Sequence, residues 1–224
     1  MTIAKGEAWG MPHDGEPPAN VAESDAELAR YVFGRLESDR PPVAGVVAGD
    51  LAATIGLGVE ATSGSAPGAG SARVQDRPVI AYPVDLGIVE LGSKAGQPQR
   101  TVPFVANVIG RRRPWSWPEL IVMNAQLAAG RRFGPRAHPN DGLLDVITGA
   151  LPWRQGREAM RRSLTASHLP HPGLEVLRTR EFETTVDSPL DIRVDGITHG
   201  RWRWIRTKIV PDAFLLVVGA PGPE

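Results

Sequence analysis

The sequence predicts an α+β fold that is mainly β: an antiparallel β-sandwich preceded by a small amino-terminal β-α unit. Three observations carry this. From Pro78 onward, short apolar or alternating runs recur between turn residues. Glycine and proline, 25 and 21 among 224 residues, supply the breaks such a chain needs. Few stretches keep the spacing of a helix.

Taken in order, residues 1–23 are polar, aperiodic and rich in turn formers, which predicts a flexible arm. Ser24-Asp25-Ala26-Glu27 has the Ser-x-x-Glu spacing of a capping box, where two side chains satisfy the first free amides of a helix. Leu28, Tyr31, Val32 and Leu36 then share one face until Pro41-Pro42. Val43 to Val47 reads as a buried strand. Gly49-Asp50 reads as a turn, with Asp50 capping a short helix from Leu51 to Ile55 and Gly56 ending it. Residues 24–57 thus make one short α/β unit.

Residues 58–76 have the composition of a flexible loop. Gly56, Gly58 and Ala61 formally fit a dinucleotide-binding fingerprint, but the match follows a helix instead of a strand and is read as chance. Residues 77–218 form the sandwich and 219–224 a tail. Its strands are expected at Val79–Tyr82, Asp85–Glu90, Thr101–Ile109, Leu120–Asn124, Leu143–Ile147, Glu175–Leu177, Glu181–Val186, Leu190–Val194, Arg201–Arg206 and Ile209–Val218. One helix, Trp153 to Ala166, is expected to connect two sheets.

Composition narrows the chemistry. Twenty-five basic and 25 acidic residues cancel, so no global charge draws the chain to nucleic acid or an anionic membrane, and any such patch is local. The absence of cysteine excludes disulfides, thiolate zinc sites and thiol catalysis. No apolar run has the length of a signal peptide core or a membrane span, so a cytoplasmic protein is expected, with peripheral membrane contact open.

The most informative stretch runs from Met123 to Ile147. Gly130 to Pro139 breaks regular structure, Asn140-Asp141-Gly142 is a turn, and Leu143 to Ile147 resumes as a strand. A magnesium ion prefers oxygen ligands, and Asp141 with the carbonyls of His138 and Leu143 could supply three. A plain turn is the competing reading. Arg111-Arg112-Arg113-Pro114-Trp115-Ser116-Trp117 sets three cations beside two tryptophans. That suits a phosphate headgroup with an apolar wedge at a membrane interface or an aromatic ligand floor, against a solvated arginine run whose tryptophans cover the core edge. His168 and His171 are spaced like some metal ligands, without an evident third.

Asn124, followed by Pro135-Arg136-Ala137-His138-Pro139-Asn140-Asp141-Gly142-Leu143-Leu144-Asp145-Val146, resembles the carboxy-terminal domain of the diacylglycerol kinase and bacterial lipid kinase family, itself related to NAD kinases. Asp85-Leu86-Gly87, the Asn107 region, Asp195-Gly196 and Ile209 to Val218 extend the likeness over about residues 43–218. The resemblance implies a lipid-kinase-like sandwich that includes Asn124, and with the cations and rings of Arg111, Arg112, Arg113, Trp115 and Trp117 it gives the expected lipid or substrate surface. It makes residues 24–57 a remnant of the nucleotide lobe, where Gly49 and Asp50 would face ATP phosphates.

The departures matter as much. The family's Gly-Gly-Asp-Gly-Thr turn is absent, and residues 1–42 are too short for its lobe. Ile197 stands where the family's Leu-Asp-Gly-Glu places its general base, and losing such a base costs about two to four powers of ten in rate. Asp195, or less aptly His199, is the remaining candidate catalytic group. The expectation is a degenerate, non-catalytic lipid- or metabolite-binding module. An active ATP-dependent lipid kinase with a reduced or partner-supplied nucleotide site is the first alternative, and a dimeric interaction protein the second. Magnesium is a possible cofactor and ATP a doubtful one.

Overall fold

The computed structural model describes residues 9–13, 18, 20–56 and 79–218. In chain order its elements are β1 (Met11–Pro12), β2 (Val21–Ala22), α1 (Asp25–Phe33), β3 (Val43–Val46), α2 (Asp50–Thr54), β4 (Ile80–Gly92), β5 (Arg100–Phe104), β6 (Asn107–Arg111), β7 (Leu120–Met123), β8 (Leu144–Thr148), α3 (Trp153–Arg162), β9 (Glu175–Thr179), β10 (Glu181–Val194) and β11 (Ile197–Val218). The main path runs β1-β4-β11-β10-β6-β7-β8-β9, with β5 beside β4 and β3 beside β11. Its pairings are antiparallel except where β3 joins β11 and β2 joins β3. A mainly β, sandwich-like curled sheet is the outcome, as the strand spacing predicts.

Alternation explains why the middle strands read as unbroken apolar runs. On β7, Leu120 and Val122 enter one core with Val108, Leu144, Val146 and Ile205, while Ile121 and Met123 enter another with Trp117, Phe133 and Ala159. Both faces are covered, so neither can be polar. A third core packs Leu28 and Val32 of α1 and Leu51 of α2 against Val84, Leu86, Phe214 and Leu216. The small amino-terminal unit therefore rests on the same two long strands as the sheet.

Several boundaries move. α1 ends at Phe33, since Gly34 begins a run of i→i+3 bonds (Arg35 to Val32, Leu36 to Phe33, Ser38 to Arg35), and Leu36 reaches the core from that turn. The strands expected at 79–82 and 85–90 are one, β4, which carries Pro83 within it. Those expected at 201–206 and 209–218 also merge into β11, through a bulge between Val210 and Phe214 that accommodates Pro211 and leaves Asp212 at φ 50°. Likewise 181–186 and 190–194 are one strand, β10, with a bulge holding Pro189. Conversely, the expected strand 101–109 divides at Val105-Ala106. The helix α3 links β8 to β9, adjacent strands of one sheet, and not two sheets. The predicted loop 58–76, tail 219–224 and most of the arm lie outside the described residues. No described helix is long and apolar enough to cross a membrane.

Candidate functional site

The divided strand marks the site. Asp195 and Gly196 form a two-residue hairpin between β10 and β11, with φ values of 45° and 80° that suit an Asp-Gly pair. The half-buried Asp195 turns its carboxylate inward and accepts from three backbone amides: Val105 at 2.8 Å, Ala106 at 3.0 Å and Asn107 at 2.8 Å. Those amides are free to point at one carboxylate because β5 and β6 stop there. Burial, aided by the nearby Asp25 charge, pushes the Asp195 carboxyl up to about 7, against the opposing pull of the amide bonds.

Asn107 carries the site across to the amino-terminal unit. Its side-chain amide donates to Asp50 Oδ2 at 3.1 Å and to the carbonyl of Leu127 at 3.3 Å. Asp50 Oδ2 also accepts from the Ala129 amide at 3.0 Å. The expected cap of α2 is different from the one observed. Gly49 is the N-cap, and the carboxylate that meets the helix's first amides belongs to Asp25, whose Oδ2 accepts from Asp50 N at 2.6 Å and Leu51 N at 3.3 Å. Gly49 has φ 142°, and a Cβ there would lie 2.2 Å from Asp25 Oδ1. Burial raises Asp25 to about 6.

Between these groups lies a cleft of about 560 Å³. It brings together five residues singled out from sequence: Gly49, Asp50, Arg111, Trp115 and Asp195. It adds Asp25, Asn107, Arg131, Asp191 and Arg193. Arg111 donates to the carbonyls of Pro114 (3.3 Å) and Ser116 (3.4 Å), and its pKa is lowered by burial and by the charges of Arg193 and Arg131. Three guanidiniums crowded together in a half-enclosed space are an arrangement an anion would relieve.

Other expected site residues lie elsewhere. Asn124 is fully buried, and its side-chain amide clamps the carbonyls of Asp85 (3.1 Å) and Val105 (2.9 Å). Trp117 is buried, with Phe133 and His168 about it, and covers the core. Arg112 is paired in a fork with Glu119 at 2.7 Å, and Arg113 is exposed. His199 is half-buried within β11, and burial lowers its pKa.

The groups expected to hold magnesium are otherwise engaged. Asp141 accepts from Leu143 N (3.0 Å) through one oxygen and from Arg178 through the other, while the His138 carbonyl accepts from Asp141 N at 3.3 Å. Arg178 also meets Asp145 at 2.9 Å, so a guanidinium takes the place of a cation between the two carboxylates. As arranged, these residues do not fit a magnesium ion. The described residues contain no cluster of three or more acidic, histidine or cysteine side chains suited to a metal, so His168 and His171 gain no third ligand. At Gly49-Asp50 the Asp50 and Leu51 amides already serve Asp25.

Sequence reasoning missed Asp25, Arg131 and Arg193. Asp25 has the sequence signature of an ordinary first-turn acid of α1, and its service to α2 joins residues that only the fold brings together. The two arginines carry no local signal, since β10 and the 126–134 loop meet only in the folded chain.

A family model described as the YegS C-terminal NAD kinase beta sandwich-like domain matches residues 97–218, more than half of the chain. Two solved structures, each of a provisionally assigned diacylglycerol kinase from Bacillus anthracis str. Sterne, superpose with a TM-score of 0.53 at 12% identity. Each superposition covers 88% of this chain and 76% of that chain, a likeness of fold alone. None of the curated proteins compared matches.

Proposed function

The chain belongs to the family of the YegS C-terminal NAD kinase beta sandwich-like domain, and on that premise we propose a non-catalytic module whose cleft binds a lipid or metabolite through an anionic group. One observation carries the reading: at the Gly49-Asp50 turn, which by its resemblance would face nucleotide phosphate, the Asp50 and Leu51 amides are taken by this chain's own Asp25 carboxylate. Two others agree with it. The Asp195 carboxylate is held by three amides, and the next candidate position, Ile197, is an exposed aliphatic residue that takes no proton. Arg111, Arg131 and Arg193 line the cleft together, and burial with the charges of the other two depresses the Arg111 pKa, a grouping that suits phosphate recognition without transfer.

The test pairs turnover with binding. The purified chain, given magnesium-ATP and a short-chain diacylglycerol, is expected to form no phosphatidate, and magnesium-ATP to raise the melting temperature no more than magnesium alone. Short-chain phosphatidate is expected to raise it, by the equivalent of about 2.7 kcal/mol at about 100 times its Kd, and to do so less in Arg193→Ala. Turnover that disappears in a folded Asp50→Ala variant would establish the active-kinase reading instead.

A further inference from the structure

Beside the cleft, α3 and the loop after β6 build a second surface that the cleft does not explain. A shallow groove of about 660 Å³ is lined by Trp115, Trp153 and Leu164 together with Arg131, Arg154, Arg157 and Arg161. Its apolar members are unusually open to solvent: Trp115 is 84% exposed, Trp153 61% and Leu164 54%. Large apolar groups grouped in this way mark an interaction site more often than a chance exposure.

The charge around them is one-sided. α3 carries Arg154, Arg157, Arg161 and Arg162 against a single acid, Glu158, which Arg161 and Arg162 share at 2.7 and 2.8 Å. Arg157 lies over the Trp153 ring at 5.7 Å. The whole chain is neutral, so this basic face is a local concentration. It is also a fixed one: Arg131 donates to the carbonyl of Met160 at 2.6 Å, and the Arg132 amide to that of Ser163 at 2.8 Å, tying the neighbouring loop to the helix.

We propose that this face docks on an anionic lipid bilayer. Tryptophan has an apolar ring and a polar N–H, and settles at the headgroup boundary, while arginine keeps its head among phosphates and its stem along apolar surface. Trp115, Trp153 and Leu164 enter that boundary, and Arg154, Arg157 and Arg161 meet the lipid phosphates. Trp115 and Arg131 line both groove and cleft, so a docked molecule holds the mouth of its cleft against the membrane. The inference is separable from what the cleft binds, because Arg193 lines the cleft and not the groove, so Arg193→Ala is expected to leave vesicle binding unchanged.

The experiment is flotation of the full chain with phosphatidylcholine vesicles, either pure or containing about 30 mol% phosphatidylglycerol. Binding is expected only to the anionic vesicles, with a blue shift of tryptophan emission, and is expected to weaken as salt is raised. Each basic charge near the surface contributes about fivefold in partitioning, so Arg154→Glu with Arg157→Glu should weaken binding by more than about twentyfold. Trp115→Ala with Trp153→Ala should abolish the blue shift. All four positions are exposed or at the groove, and an unchanged melting temperature confirms that the variants fold. Equal binding to both vesicle types, no binding to either, or binding that survives both double substitutions overturns the proposal. So does salt-sensitive binding without any blue shift, which would make the face a general polyanion or acidic-protein contact.

Discussion

At Asp195 one carboxylate satisfies three amides at a break between strands, and that role is structural whether or not chemistry ever occurs there. Removing it in Asp195→Ala leaves those donors unpaired and puts alanine at positive φ, a loss expected at about 2 to 4 kcal/mol. Ile197 is 46% exposed and accepts many side chains at little cost. A substitution scan scored on folded protein abundance should therefore be strict at 195 and permissive at 197. Buried carboxylates also set the pH response. Asp25 is raised to about 6, and Asp85 and Asp195 to about 7, each mainly by burial, from an ordinary value of 3.8. Their folded pKa values exceed the unfolded ones, so their contribution to stability is full below about pH 4 and is lost as pH rises through 6 to 7. The melting temperature should fall between about pH 4 and about pH 7 and level off above. Asp85→Asn should flatten that slope while weakening the bonds from Gly142 N (2.7 Å) and Asp212 N (2.9 Å). The hairpin role of Asp195 was legible, because Asp-Gly between apolar runs has a local meaning. The pairing of Asp25 with Gly49 was not, because it joins residues that only the fold brings together.

Among the elements, α2 depends most on a neighbour. It has five residues, no side-chain cap of its own, and an amino terminus completed by α1's Asp25. Gly49→Ala places a methyl group against that carboxylate at a φ that disfavours alanine, and should cost on the order of 2 to 4 kcal/mol, seen as a lower denaturation midpoint. Asp25→Asn should be milder, since one acceptor oxygen remains for the two amides. The capping box of α1 was readable, and Ser24 Oγ does accept from Glu27 N at 3.4 Å. Strand ends were less so, because prolines at 83, 189 and 211 look like breaks yet are carried inside long strands, two of them at bulges. The division after Phe104 had no local signature, since its cause, Asp195, is ninety residues away.

For the whole molecule, the mainly β architecture followed from strand spacing, whereas the order of strands did not, because pairing between distant segments leaves little trace in either one. β11 is the strand that binds the parts. Along one edge it pairs with β4, and along the other first with β10 and then, in parallel, with β3. Amide exchange should accordingly show Leu215 and Leu216 protected with the same opening energy as Ile205 and Thr207, in one cooperative unit. A two-part enzyme commonly works by swinging its halves shut over a substrate. Here β11 pairs with β10, which lines one side of the cleft, and with β3, which leads into the unit that lines the other, so a guest is expected to meet a gap set largely by the fold, with selectivity resting on shape already present instead of motion to come.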